Sequence, residues 1–123
     1  MKSPVYLAGS WADRPRLRGI RDELAEMGIV CCSSWLDHGG DETDLVAWAE
    51  MDLSDLIAAQ TLLLFTDVPS TTGGMWVEFG LAYGLGRGLI GVGPKTNLFV
   101  HLIADWYPAW PELRAALVGE GTA

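Results

Sequence analysis

Short apolar runs alternate with longer segments of helical periodicity along this chain of 123 residues. Such alternation is typical of a parallel sheet covered by helices, and it disfavours an all-helical or all-strand domain. The run Thr-Leu-Leu-Leu-Phe at 61–65 is continuously apolar, which predicts a central strand buried on both faces. We expect about five strands, at 5–9, 29–35, 61–65 and 88–93, with a short strand or turn around 97–102.

Four helices are predicted between and after these strands. The first carries Leu17, Ile20, Leu24 and Met27 on one stripe, and Gly28 follows it as a stop signal. No repeat, low-complexity tract or linker divides the chain, so we expect a single domain over residues 1–123. The predicted helices run from about 16 to 27, from Thr43 or nearby to about 60, from about 74 to 85, and from 111 to 118.

Three polar loops follow predicted strands, at 9–15, 34–40 and 66–74. In open α/β sheets, ligands bind beyond the carboxyl ends of the strands, where such loops gather. We therefore expect any chemistry to lie at this edge of the sheet.

Glu78 is the only charged residue in the stretch 71–86. Its helical neighbours at positions 74, 75, 81 and 82 are Gly, Met, Leu and Ala, none of which can pair with a carboxylate. Desolvation would raise its pKa, whereas the nearby helix N-terminus and any donated hydrogen bond would lower it. A helix-start Glu favoured by the helix dipole is the alternative, although Met75 rules out its usual capping-box form. The residues favour a tuned nucleophile or base.

A carboxylate in apolar surroundings suits a reaction that passes through an oxocarbenium-like sugar. Such a reaction also needs an acid for the leaving group. Asp52 is a candidate, with the alternative that it lies on a solvated helix flank together with Asp55. Tyr6 is either a hydroxyl at the sheet edge or a core tyrosine, and Trp11 is either a stacking surface for a base or a loop anchor.

Acidic residues outnumber basic ones, with 16 Asp and Glu against 8 Lys and Arg and a net charge of −8. This charge repels nucleic-acid polymers and anionic membrane surfaces. No apolar run has the length of a signal peptide or of a membrane span, so we expect a soluble cytoplasmic protein. A domain this small leaves much of its surface exposed, which formation of an oligomer would reduce.

Cysteines and histidines form no metal-type pattern in this sequence. Cys31 and Cys32 are adjacent within an apolar segment, so we expect reduced core thiols. His38 and His101 are far apart, and we assign them to a loop and to the core. The sequence therefore implies no metal and no organic cofactor.

Three segments together resemble the nucleoside 2-deoxyribosyltransferase family and its sister deoxynucleoside 5′-monophosphate N-hydrolases. They are YLAGSWADR at 6–14, MDLSDLIAAQTLLLF at 51–65 and GGMWVEFGLAYGLGRGLIGVG at 73–93, and the resemblance covers roughly residues 4–107. Their order and the separation of 26 residues between Asp52 and Glu78 match the family pattern. The resemblance implies that Glu78 attacks the anomeric carbon of a 2-deoxyribosyl group, that Tyr6 holds its carboxylate, and that Asp52 contacts or protonates the departing base.

The residue that contacts the 5′ end of the sugar differs between the transferases and the hydrolases of this family, and this chain has neither of the two usual residues. Transferases carry Asp six residues before the nucleophile and the monophosphate hydrolases carry Ser, whereas this chain has Thr72. The hydroxyls of residues 70–72 and the amides of residues 73 and 74 form a possible phosphate cradle at a helix start, which favours a nucleotide.

Asn97 argues for the transferases, because the segment TNLFVHL resembles the one with which a transferase subunit reaches into its neighbour's site. The hydroxyl that the hydrolases use in this segment is present only as Thr96. The resemblance thus implies a homo-oligomer, a dimer or larger, with a shared active site. The candidate substrate-binding residues are Gly9, Ser10, Trp11, Ser70, Thr72, Gly74, Met75 and Asn97.

We therefore expect a flavodoxin- or Rossmann-like three-layer α/β domain that acts on a nucleoside or nucleotide and a free nucleobase. The expected reaction breaks the N-glycosidic bond of a 2′-deoxynucleoside or its 5′-monophosphate through a covalent intermediate on Glu78 and transfers the sugar to another base. Hydrolysis of a 5′-monophosphate is the alternative, and a non-catalytic nucleotide-binding module is the second alternative.

Overall fold

The computed structural model describes residues 1–39 and 44–121, and within them the chain forms a parallel sheet flanked by helices. The strands are β1 (Val5–Ala8), β2 (Thr61–Phe65), β3 (Gly88–Val92) and β4 (Asp105–Tyr107), in the order β1-β2-β3-β4. The helices are α1 (Arg14–Glu26), α2 (Leu45–Ala58), α3 (Gly74–Gly84) and α4 (Trp110–Gly121). The predicted α/β class is confirmed, with four strands in place of about five.

The predicted strand at 29–35 is wrong, because only one parallel bridge, between Val5 and Cys31, joins this segment to β1. The Val5 amide donates to the Val30 carbonyl at 2.8 Å. Two residues further along β1, the Leu7 amide donates instead to the Ser33 hydroxyl at 2.6 Å. A side chain thus takes the hydrogen bond that would extend the ladder, and a 3-10 turn follows at Ser34–Asp37.

The bridge lies on the side of β1 opposite β2, so this segment occupies the place of a second strand in a flavodoxin-like order. The segment around 97–102 is a 3-10 turn (Leu98–Leu102), and the last strand comes later, at β4. The predicted start of α2, at Thr43 or nearby, falls at the edge of the described residues, and Thr43 itself lies outside them. In the structure, the Asp44 carboxylate caps α2 by accepting the Ala47 amide at 2.9 Å.

The core lies on both faces of β1 and β2, whose residues are all buried. Leu17, Ile20 and Leu24 of α1 are buried as the stripe predicted. Gly91 of β3 lets the Trp106 ring pack flat on the sheet, since a Cβ at this position would overlap that ring.

The carboxyl edge of the sheet is tied together by an ion-pair network. Arg16, in the first turn of α1, pairs with the buried Asp13 at 2.7 Å and with Asp67, just after β2, at 2.8 Å. This network holds the start of α1 against the loop that leads to α3.

Cys31 and Cys32 are free thiols that are partly exposed and pack against the core. Burial raises the pKa of the Cys31 thiol to about 11. None of the described helices is both long enough and apolar enough to cross a membrane.

Candidate active site

A cavity of about 500 Å³ opens at the carboxyl edge of the sheet. Its walls come from the loop after β1, the 3-10 turn at Ser34–Asp37 with His38, the middle of α2, and the first turns of α3. The lining residues are Gly9, Trp11, Trp35, His38, Trp48, Ala49, Asp52, Leu53, Thr72, Gly74, Met75, Val77 and Glu78.

Local backbone geometry places Glu78 at this cavity. Gly73 has φ +78°, a left-handed conformation that favours glycine, and it is the N-cap residue of α3. The Ser70 hydroxyl accepts the Gly73 amide at 3.1 Å and thereby holds the turn before the helix. Glu78 follows one turn into α3, with its carboxylate facing the cavity.

Tyr6 holds the Glu78 carboxylate. Tyr6 is fully buried on β1, and its hydroxyl donates a short hydrogen bond to Glu78 Oε2. Because a fully buried strand fixes the phenol, the carboxylate is oriented by a rigid element. Tyr6 itself does not line the cavity.

Burial raises the pKa of Glu78 to about 8, the Tyr6 hydrogen bond opposes this shift, and the nearby Asp52 charge adds to it. Burial is also the main cause of the raised pKa of the Tyr6 hydroxyl. None of the described residues that line the cavity is Lys or Arg. The surroundings of Glu78 therefore disfavour its negative charge, and a positive centre placed beside the carboxylate would favour it.

Asp52 lines the same cavity from α2. Burial raises its pKa, His38 lowers it, and Asp55 raises it. Its Oδ1 is buried and has no hydrogen-bond partner in the described part of the chain. Asp55 has a different task, since it accepts the Ser34 amide at 3.1 Å and also the Ser34 hydroxyl.

An aromatic wall, formed by Trp11, Trp35, Trp48 and His38, lines the same cavity as the two carboxylates. The ring centroids of Trp11 and Trp48 are 5.9 Å apart, those of Trp11 and Trp35 are 6.4 Å apart, and those of His38 and Trp48 are 4.2 Å apart. The Arg14 guanidinium lies over Trp11, 3.5 Å from the ring centroid. Flat apolar rings beside a few polar groups are typical of small-molecule sites.

The sequence-predicted residues fall into two groups. The structure brings Glu78, Asp52, Gly9, Trp11, Thr72, Gly74 and Met75 to the cavity, with Tyr6 directly behind Glu78. Three others do not line it. Ser10 is buried and caps the short turn at Trp11–Asp13, Ser70 holds the turn before α3, and Asn97 lies elsewhere.

Asn97 lines a second, mainly apolar groove of about 520 Å³ together with residues of α3 and of the 3-10 turn at Leu98–Leu102. Its side-chain oxygen caps that turn by accepting the amides of Phe99 at 2.9 Å and Val100 at 3.3 Å. Within one chain Asn97 therefore does not contribute to the Glu78 cavity, and its expected place in a neighbour's site stays a prediction.

Sequence reasoning missed most of the aromatic wall. Trp48 precedes Asp52 by four residues and so shares its helix face, which is a signal that could have placed it at the cavity. His38 was assigned to a loop and does follow the 3-10 turn, but it also lines the cavity. The expectation that His101 lies in the core is wrong, because His101 is exposed.

No protein-family model and no curated protein matches this chain. Among solved structures, it is similar to a conserved protein from Enterococcus faecalis V583, with a TM-score of 0.68 and 16% identity over 94% of this chain and 97% of that one. It is also similar to the CMP N-glycosidase BcmB from Clostridium botulinum, with a TM-score of 0.64 and 16% identity over 97% and 98% of the two chains. At this level of identity, the similarity establishes the Rossmann-like three-layer α/β fold.

Proposed function

We propose that this protein cleaves the N-glycosidic bond of a nucleoside or nucleotide, with Glu78 as the nucleophile. The observation that carries the proposal is the Glu78 carboxylate, mostly buried in a cavity of nucleoside size and held there by the Tyr6 hydroxyl. Such a carboxylate is poised to bond to a sugar carbon that develops positive charge.

The chemistry proceeds in two steps. In the first step, Glu78 forms a bond to C1′ while the bond from C1′ to the base nitrogen breaks, and the electron pair leaves with the base. In the second step, an acceptor bonds to C1′ and releases Glu78. Burial disfavours the Glu78 anion on its own. It becomes favourable when an oxocarbenium-like carbon lies against the carboxylate, because the two charges then compensate in a medium of low dielectric.

Asp52 and the tryptophans form the proposed base-binding end of the cavity. Burial makes the Asp52 carboxyl easier to protonate, and once protonated it can donate a hydrogen bond to the departing base. Trp11 and Trp48 offer ring faces on which a base can stack. The role for Asp52 agrees with the one implied by the family resemblance, and base stacking is one of the two roles that the sequence predicts for Trp11.

For the acceptor, we propose another nucleobase, so that a 2-deoxyribosyl group is transferred within a homo-oligomer that shares its active sites. Hydrolysis of a 5′-monophosphate is the second candidate. It is favoured by Thr72 at the start of α3, where backbone amides can bind phosphate, and by the similar fold of a protein described as a CMP N-glycosidase.

Product analysis separates these candidates. The protein is incubated with each 2′-deoxynucleoside, each 5′-monophosphate and CMP, with and without a second free base, and the products are resolved by chromatography. A new nucleoside that forms only when the second base is present indicates transfer, and free sugar or sugar phosphate indicates hydrolysis. Absence of product in every mixture would leave only a nucleotide-binding module.

Two variants test the role of Glu78. Glu78→Ala should abolish turnover and retain ligand binding, because the cavity persists without its nucleophile. Glu50→Gln is the matched control, since Glu50 is exposed on α2 and does not line the cavity. Full activity of Glu78→Ala would refute the assignment.

A further inference from the structure

The backbone that carries His38 is fixed on several sides. The Trp35 indole donates to the Leu7 carbonyl at 2.8 Å, and the Arg14 guanidinium donates to the His38 carbonyl at 2.7 Å. Asp55 of α2 binds the amide and the hydroxyl of Ser34. The position of His38 is therefore set by β1, α1 and α2 together.

The His38 imidazole, in contrast, has no hydrogen-bond partner in the described part of the chain. Both ring nitrogens are buried, although leaving a buried polar group unpaired lowers the stability of a folded protein. The centroid of the ring lies 4.2 Å from that of the Trp48 ring, and His38 is one of the residues that line the cavity. A ring needed only for packing on Trp48 would need no nitrogens, so the unpaired nitrogens indicate a ligand as the missing partner.

Asp52 shares this end of the cavity with His38. Its buried Oδ1 is also unpaired, and His38 is close enough to favour the charged form of its carboxylate. Two unpaired polar side chains thus lie beside the aromatic wall, at the end proposed to receive the base. Glu78, on α3, lines the same cavity as the group that bonds to the sugar.

We propose that His38 is a second leaving-group residue, which binds a ring nitrogen of the nucleobase and passes a proton to it as the glycosidic bond breaks. This role rests on the proposed function. The proton leaves an imidazole nitrogen of His38 for the base nitrogen, the electron pair of the C1′–N bond goes to the base, and Glu78 forms the new bond to C1′. In the second step, the acceptor loses a proton to His38 as it bonds to C1′, which restores the starting state.

Leaving groups of different basicity test this role. 2′-Deoxyguanosine or its 5′-monophosphate is compared with its N7-methyl derivative, whose cationic base departs neutral without protonation. For a protein that prefers pyrimidines, 2′-deoxyuridine is compared with its 5-fluoro derivative. His38→Phe keeps a ring against Trp48 and removes both nitrogens, His38→Gln keeps a hydrogen-bonding group, and His101→Gln at the exposed histidine is the control.

His38→Phe should lower kcat/KM about 100-fold for the natural substrate and less than tenfold for the activated one, because general acid catalysis typically contributes 10²–10⁴-fold. His101→Gln should match the wild type on both substrates. Equal losses on both substrates would show a structural role and overturn the proposal while leaving the proposed function intact. A wild-type protein inactive on every substrate would overturn the proposed function and this role with it.

Discussion

Replacing Glu78 with Gln removes an ionisable group and keeps both its size and an oxygen that can accept the Tyr6 hydroxyl. In the folded protein, burial raises the pKa of Glu78 from 4.5 to about 8. Since a tenfold change in proton affinity corresponds to about 1.4 kcal/mol, this difference corresponds to about 5 kcal/mol of folding free energy.

The sign follows from which state holds the proton more tightly. The folded protein binds the Glu78 proton more tightly than the unfolded chain does, so the contribution to stability is complete below pH 4.5 and is lost as the pH rises through about 8. Between pH 5 and pH 8, the wild type should lose about 3 kcal/mol of unfolding free energy relative to Glu78→Gln.

Urea unfolding followed by tryptophan fluorescence measures this difference. Both proteins are unfolded at pH 5 and at pH 8 at one protein concentration, because self-association would otherwise alter the comparison. Glu50→Gln, on the exposed surface of α2, should follow the wild type at both pH values. Parallel pH dependences for the wild type and Glu78→Gln would refute the argument that Glu78 is held in a desolvating cavity.

Three further substitutions test the surroundings of the site. Tyr6→Phe should lower kcat about 10- to 100-fold and should move the pH at which activity rises to a higher value. The reason is that this substitution removes a hydrogen bond that lowers the pKa of Glu78. An unchanged profile of activity against pH would contradict this. Trp48→Ala should raise KM about tenfold in steady-state kinetics by removing a stacking surface, and an unchanged KM would exclude Trp48 from base binding. Gly91→Ala should lower the unfolding free energy by about 1–3 kcal/mol in urea because its Cβ overlaps the Trp106 ring, and wild-type stability would contradict the packing described for β3.

The sheet centre and its main helices were predictable because their signals are local. The unbroken apolar run at 61–65 can be buried only between two layers, and the stripe on α1 repeats at helical spacing. The error at 29–35 has a non-local cause. Its apolar residues are typical of a strand. The Ser33 hydroxyl, however, accepts the Leu7 amide of β1, and the ladder therefore ends after one bridge.

Glu78 was a predictable site candidate for a related reason, whereas the residues alone left Asp52 undecided between the site and a solvated helix flank. Glu78 stands out because no charged residue lies near it in the sequence, so its partner had to come from elsewhere in the fold or from a ligand. The position of His38 depends on contacts that Arg14 and the neighbouring turn make with distant elements. Asn97 was assigned from resemblance alone, and its place relative to the Glu78 cavity depends on a second chain.

The central claim is that Glu78 becomes covalently bonded to the sugar during turnover. Acid quench of the protein during reaction with its best substrate, followed by proteolysis and mass spectrometry, measures this bond directly. The peptide containing Glu78 should gain the mass of one glycosyl group, and the gain should vanish in Glu78→Gln. Turnover that leaves this peptide unmodified at every quench time while placing the sugar on another carboxylate would contradict the account.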